Sequence, residues 1–218
     1  MLLLTALMLG CIHALEADHM LAVASFVSRK PSVEGAMRFG ARWGFGHAMA
    51  VLAAGSILLL LGVRMPARWD AAAEALVGVM LVGLGAWAIA SARRLHAHGR
   101  GPGAALHAHA AGTEPHLHLD GHDRGGITFV GLLHGLAGTS GAIALLPVTL
   151  MDAPWLGVGY LALFGIGVTI AMTAFAAVAA VAMRRAAVTS VAWARRVATG
   201  VGLAAIATGL VWIVNAAS

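Results

Sequence analysis

Charge is what this chain has least of. Only 11% of its 218 residues are Asp, Glu, Lys or Arg, against about 25% in a soluble domain. One cysteine excludes a disulfide framework and any CxxC metal site. No GxxxxGKS loop occurs, so any coupling to ATP would need another protein. The N-terminus has no basic stretch ahead of its first apolar run, which argues against a cleaved signal peptide. Met8-Leu9-Gly10-Cys11 faintly suggests a lipoprotein cleavage site, but lacks that basic stretch too. Residues 1–28 therefore read as a retained span.

What fills the chain instead is apolar. Hydrophobic residues make up 60% and the mean hydropathy is +0.87. The class is an all-α integral membrane protein, because helices satisfy their own backbone in lipid. A span needs about 20 apolar residues. Six are expected, at 2–27, 40–62, 72–92, 127–150, 155–183 and 191–214. Arginines give the net charge of +5, and they cluster in connections, so the charge reports topology rather than nucleic-acid binding. Arg29, Lys30, Arg38 and Arg42 mark the first connection. Arg93, Arg94, Arg100 and Arg124 mark the third, and Arg184, Arg185, Arg195 and Arg196 the fifth. Those three connections are expected to be cytoplasmic and both termini outside, in a multi-pass protein of the inner membrane.

The chain also reads as two halves, 1–92 and 127–218, around a connection at 93–126. Gly10-Cys-Ile-His13 resembles Gly131-Leu-Leu-His134, and Gly44-Phe-Gly46 resembles Gly165-Ile-Gly167. Gly83-Leu-Gly85-Ala-Trp87 matches Gly209-Leu-Val-Trp212 less well, because the spacings differ. Three spans per half would make a 3+3 inverted repeat, with a substrate site near the midplane.

Ionisable residues inside the first span are the main anomaly. His13-Ala14-Leu15-Glu16-Ala17-Asp18-His19 places four such groups in seven positions. On insertion scales each charged group at a span centre costs roughly 2.5–3.5 kcal/mol, so these groups need partners or a function. On a regular helix His13, Glu16 and His19 form one stripe, and Asp18 points about 140° from His13. Either the backbone unwinds here or other spans complete a site. His47 and His134 are the candidates. By helical rise, His19, His47 and His134 all lie about 13 Å in from the same side. Each of the latter two reads either as a metal ligand or as a histidine hydrogen-bonded to a neighbouring helix. Imidazole suits Ni, Co, Zn and Cu, and a carboxylate adds hard oxygen and charge. Thr139 and Ser140 add hydroxyl oxygens beyond His134. Glu16 reads as a partner orienting a histidine or as a proton-linked group.

The 93–126 connection carries His96, His98, His107, His109, His116, His118 and His122, mostly as His-x-His. Its glycines predict a loose, disordered tract with metal affinity.

His13-x4-Asp18-His19 resembles the His-x4-Asp-His motif of the nickel/cobalt transporter superfamily (NicO), which includes the NiCoT permeases and shorter UreH-like membrane proteins. Trp43-Gly44-Phe45-Gly46-His47-Ala48 is similar to the Gly-His element of that family's next span. Gly131-Leu-Leu-His134-Gly-Leu-Ala-Gly-Thr139-Ser140-Gly141 resembles the His-Gly-rich segment of the UreH-like branch. The resemblance implies transport of Ni2+ or Co2+ as substrate, with no cofactor, and His13, Asp18 and His19 as recognition residues. NiCoT permeases have more spans than the six expected here. The efflux branch has the His-rich loop, but tends to carry Pro-Gly-His where this chain has Ala17-Asp18-His19. The motif thus leans to uptake and the loop to efflux. The expected partners are the divalent ion, the lipid bilayer and a cytoplasmic metallochaperone.

Two rival classes would use the same histidines. A membrane metalloenzyme would hold a catalytic metal with them, yet neither HxxHH nor HExxH occurs. A metal sensor would bind through the loop without transporting.

Overall fold

The computed structural model describes residues 2–28, 32–63, 67–93, 95–98, 105–108, 124–136 and 153–217. Among them run seven helices and one short hairpin. These are α1 (Leu2–His13), α2 (Ala17–Val27), α3 (Val33–Leu61), α4 (Ala67–Ala92), β1 (Leu95–His98), β2 (Ala105–Ala108), α5 (Arg124–Leu136), α6 (Pro154–Thr189) and α7 (Val191–Ala217).

Four of these, α3, α4, α6 and α7, are long and apolar enough to cross a membrane. The bent pair α1–α2 makes up to five. The fourth expected span, 127–150, is described only through α5, and its later part lies outside the described residues. Several boundaries differ from expectation. Helix α3 begins at Val33 rather than 40, α4 at Ala67 rather than 72, and α6 runs on to Thr189 rather than 183. The early start of α3 has a local cause. Ser32 is extended and its side chain accepts from Gly35 N–H at 3.3 Å, an N-cap. The first turns carry Glu34, Arg38 and Arg42, so the helix starts beyond the apolar run. It ends at Gly62, whose φ of 63° suits a left-handed C-cap. Pro154 opens α6 in the first turn, where its missing N–H is not needed.

The connection expected to be disordered is not wholly so. β1 and β2 pair antiparallel, with His96 opposite His107 and His98 opposite Ala105. The His-x-His alternation has the period of two that a strand requires.

Helix packing runs through glycine. Gly44 lies against Thr169, Gly40 against Met172, and Gly165 against Ala48. Residue numbers rise along α3 as they fall along α6, so the two are antiparallel. Gly131 meets the Trp43 backbone and Gly135 that of His47, so α5 runs parallel to α3. Gly78 and Gly209 face each other, as do Gly85 and Gly202, making α4 and α7 a second antiparallel pair. Such small residues let backbones approach where lipid supplies no hydrophobic drive. Helix α1 packs on α6, whereas α2 packs on α4, α6 and α7.

The core is built on Trp43, Tyr160, Phe164, Leu81, Leu161 and Met172, all nearly inaccessible. Met172 and Met183 are buried and Met80 packs against the core, in keeping with packing roles. Met151 lies outside the described residues. Outward faces present Leu60, Ile170, Val178 and Val214, as a lipid-facing surface would. Trp69, Trp155 and Trp193 are exposed near helix starts, where interfacial anchors are expected. Trp212 packs on the core. Inside α6, Thr169 and Thr173 donate their hydroxyls to the carbonyls of Gly165 and Thr169, which satisfies them within the helix.

Candidate metal centre

The first span breaks inside its ionisable heptapeptide. Leu15 N–H bonds Ile12 O and Glu16 N–H bonds His13 O, each at 3.0 Å, tightening the end of α1 to i→i+3 spacing. Glu16 is then extended (φ −65°, ψ 152°) and starts α2 without capping it by its side chain. The axes of α1 and α2 differ by 56°. This is the unwinding that a regular helix would need before Asp18 could turn toward its neighbours. Non-helical backbone at membrane depth is tolerated where protein buries it, and Ala14 is fully buried.

The break gathers side chains that are far apart in sequence. His13 ends α1, Asp18 and His19 open α2, His47 sits mid-α3, and His134 lies near the end of α5. All five are at least 94% buried. Ring centroids are 4.5 Å apart for His13–His19, 5.1 Å for His19–His47, 5.2 Å for His13–His47 and 4.3 Å for His19–His134. Two triads have donor atoms within 4.8 Å of one another, His13/His19/His47 and Asp18/His19/His134.

Asp18 uses both oxygens. Its Oδ1 accepts from His19 Nδ1 at 3.1 Å and its Oδ2 from His134 Nε2 at 3.0 Å. An ionised carboxylate only accepts, so both imidazole nitrogens donate. Glu16 reaches back to His13, with Oε1 3.1 Å from Nδ1, and its side chain is 41% exposed. The contact is one of proximity, since His13 Nδ1 makes no hydrogen bond, and both sequence readings for Glu16 stay open. Other buried nitrogens have no hydrogen-bond partner among the described residues. These are His13 Nδ1, His19 Nε2, His134 Nδ1, both nitrogens of His47 and Trp43 Nε1. Buried polar atoms are rarely left so. Unpartnered histidine nitrogens on α1, α2, α3 and α5, in triads whose donor atoms lie within 4.8 Å of one another, make a set suited to a transition-metal cation.

Of the expected site residues, His13, Glu16, Asp18, His19, His47 and His134 are brought together. Thr139, Ser140, His109, His116, His118 and His122 lie outside the described residues. His96, His98 and His107 fall on the hairpin strands. Two aromatic neighbours were not anticipated. Phe164 stacks on His13 at 5.4 Å, and Trp43 meets His134 edge-on at 5.5 Å. The only sequence signal for Trp43 was its place one turn before His47.

Comparison with known proteins adds a relative. The chain is 32% identical over 174 residues to the urease accessory protein UreH of Bacillus sp. (strain TB-90). The match covers 77% of this chain and 71% of that one. No family model matches the chain, and no solved structure does.

Proposed function

The chain belongs to the nickel/cobalt transporter superfamily, and on that premise we propose that it carries Ni2+ or Co2+ inward across the cell membrane through the buried cluster of His13, Asp18, His19, His47 and His134. It is a membrane permease rather than an enzyme. The observation that carries the mechanism is the meeting of five buried metal-type donors from α1, α2, α3 and α5 at a helix break. The hydrated cation sheds part of its water shell there and is held by imidazole, with carboxylate charge close by.

Alternating access by two halves is part of the proposal. Its support lies in how the packing repeats. A shift of 121 residues carries Gly10 onto Gly131, and the same shift backwards carries Phe164 onto Trp43; Gly10 packs on Phe164 and Gly131 on Trp43. Gly46 meets Thr128 and Leu132, as Gly167 meets Leu7 and Cys11, with the same displacement. For the last helix of each half the shift is 124, exchanging the pair Gly78–Gly209 for Gly202–Gly85. Reciprocal contacts of this kind support a 3+3 inverted repeat, in which one half rocks against the other around a central site. By the same shift of 121, Thr139 and Ser140 stand in sequence where the first half has Asp18 and His19.

The proposed sidedness puts both termini outside and the His-rich 93–126 tract in the cytoplasm, where it gathers metal ahead of a metallochaperone. An accessory role to an enzyme, as in the relative's name, is a supply role and supports inward transport. The His-rich tract favours efflux instead. Nickel and cobalt flux into proteoliposomes, with the gradient imposed in each direction, separates the two. The proposal expects flux that His13→Ala and His19→Ala abolish while protein levels hold; unchanged flux in both variants overturns it.

A further inference from the structure

We infer that Asp18 is not a ligand of the transported ion but positions its ligands, and that the ion sits among His13, His19 and His47. This rests on the proposed passage of a divalent metal through the cluster, and it divides the five residues into two layers.

The two triads share His19 and compete for it. Asp18 already spends Oδ1 on His19 Nδ1 and Oδ2 on His134 Nε2. That fixes His19 with its proton on Nδ1 and its lone pair on Nε2, which is buried and unpartnered. His47 adds two more unpartnered nitrogens, one of them a lone pair in the neutral ring. His13 Nδ1 lies 3.1 Å from Glu16 Oε1 yet makes no hydrogen bond, and His13 places a donor atom in the same triad. A cation among these three rings gives partners to the orphaned lone pairs of His19 and His47. A cation placed instead between Asp18, His19 and His134 would replace both existing hydrogen bonds and leave the His19 and His47 lone pairs stranded. The first placement leaves His134 Nδ1 without a partner, but the second leaves both His47 nitrogens and His13 Nδ1 so, and the larger set of orphaned buried atoms chooses the first triad.

Asp18 then has the place of the carboxylate in a carboxylate–histidine–metal relay, which raises the basicity of the ligand and fixes its tautomer. His134 anchors Asp18 from the opposite half, so one carboxylate joins α2 to α5 behind the ion. Asp18 is a positioning residue, and its negative charge acts on the ion through His19.

The test uses purified full-length protein given less than one equivalent of Co2+ alone, so that the buried site fills ahead of the His-rich tract. X-ray absorption counts the imidazoles on the metal through their multiple scattering. Wild type is expected to show three, His134→Gln three, and His47→Ala two. Asp18→Asn is expected to keep three while cobalt affinity falls about 10–100-fold. Loss of an imidazole in His134→Gln, or an unchanged count in His47→Ala, overturns the inference. A wild-type protein that binds cobalt with no imidazole at all overturns the transport site itself, a distinguishable failure. Should a variant not fold, the wild-type protein still decides. With nitrogen-labelled histidine and bound cadmium, metal–nitrogen coupling is expected at His19 Nε2 with Nδ1 protonated. Coupling at His19 Nδ1 overturns the inference.

Discussion

His134 Nε2 donates to Asp18 Oδ2 at 3.0 Å across 116 residues of sequence. The same carboxylate takes His19 Nδ1 at 3.1 Å. Removing Asp18 therefore strands two buried donors at once. Asp18→Ala is expected to lower stability by about 1–3 kcal/mol for each. A lowered thermal midpoint of the detergent-solubilised, metal-free protein would show this. Asp18→Asn, which keeps one acceptor, should lose less.

Glu16 touches His13 from a half-exposed position. Its removal should leave the fold intact, because it makes no cap bond to α2. Glu16→Gln is expected to weaken metal affinity about 10-fold through the loss of a charged partner to a ligand, with an unchanged thermal midpoint. Calorimetric titration with Ni2+ measures the first and a melting curve the second.

Glycines divide sharply by what surrounds them. A side chain at Gly131 would run into the Trp43 backbone, whereas one at Gly83 meets nothing within 4 Å. Gly131→Val should cost about 1–3 kcal/mol or more as overpacking, seen as lost expression or a lowered midpoint. Gly83→Ala should be neutral or stabilise by up to about 1 kcal/mol.

Deletion of residues 95–123 removes the hairpin and the rest of the His-rich tract but no member of the buried cluster. Metal flux in proteoliposomes is expected to persist, while the number of nickel ions bound per protein falls. Loss of all flux would assign the tract a part in the transport path.

The break in the first span was legible because three ionisable residues made a stripe that excluded the fourth. A regular helix cannot aim His13 and Asp18 together, and the chain does not form one there. His47 and His134 were legible by depth, since helical rise puts them level with His19. The lining was not. Phe164 and Trp43 carry no pattern that separates a ring beside a histidine from a ring in a core. Nor did the sequence show where α3 begins, because Arg38 and Arg42 read as a connection until Ser32 was seen to cap a helix that carries them. The hairpin was hidden by glycines around it, although the alternation of His96, Ala97 and His98 was present to be read.

The interruption between α1 and α2 also has a bearing on how the molecule is made. The two helices have 12 and 11 residues, about 18 and 16 Å long, and neither alone crosses a hydrocarbon layer of about 30 Å. Their junction departs from the regular helical hydrogen-bond pattern and carries His13, Asp18 and His19. The side chains that enclose that junction, His47, His134 and Phe164, emerge from the ribosome later. A segment made before the side chains that enclose it is thus late to find its surroundings. Its insertion depends on neighbours that do not yet exist, so biogenesis must shelter this segment until α6 arrives.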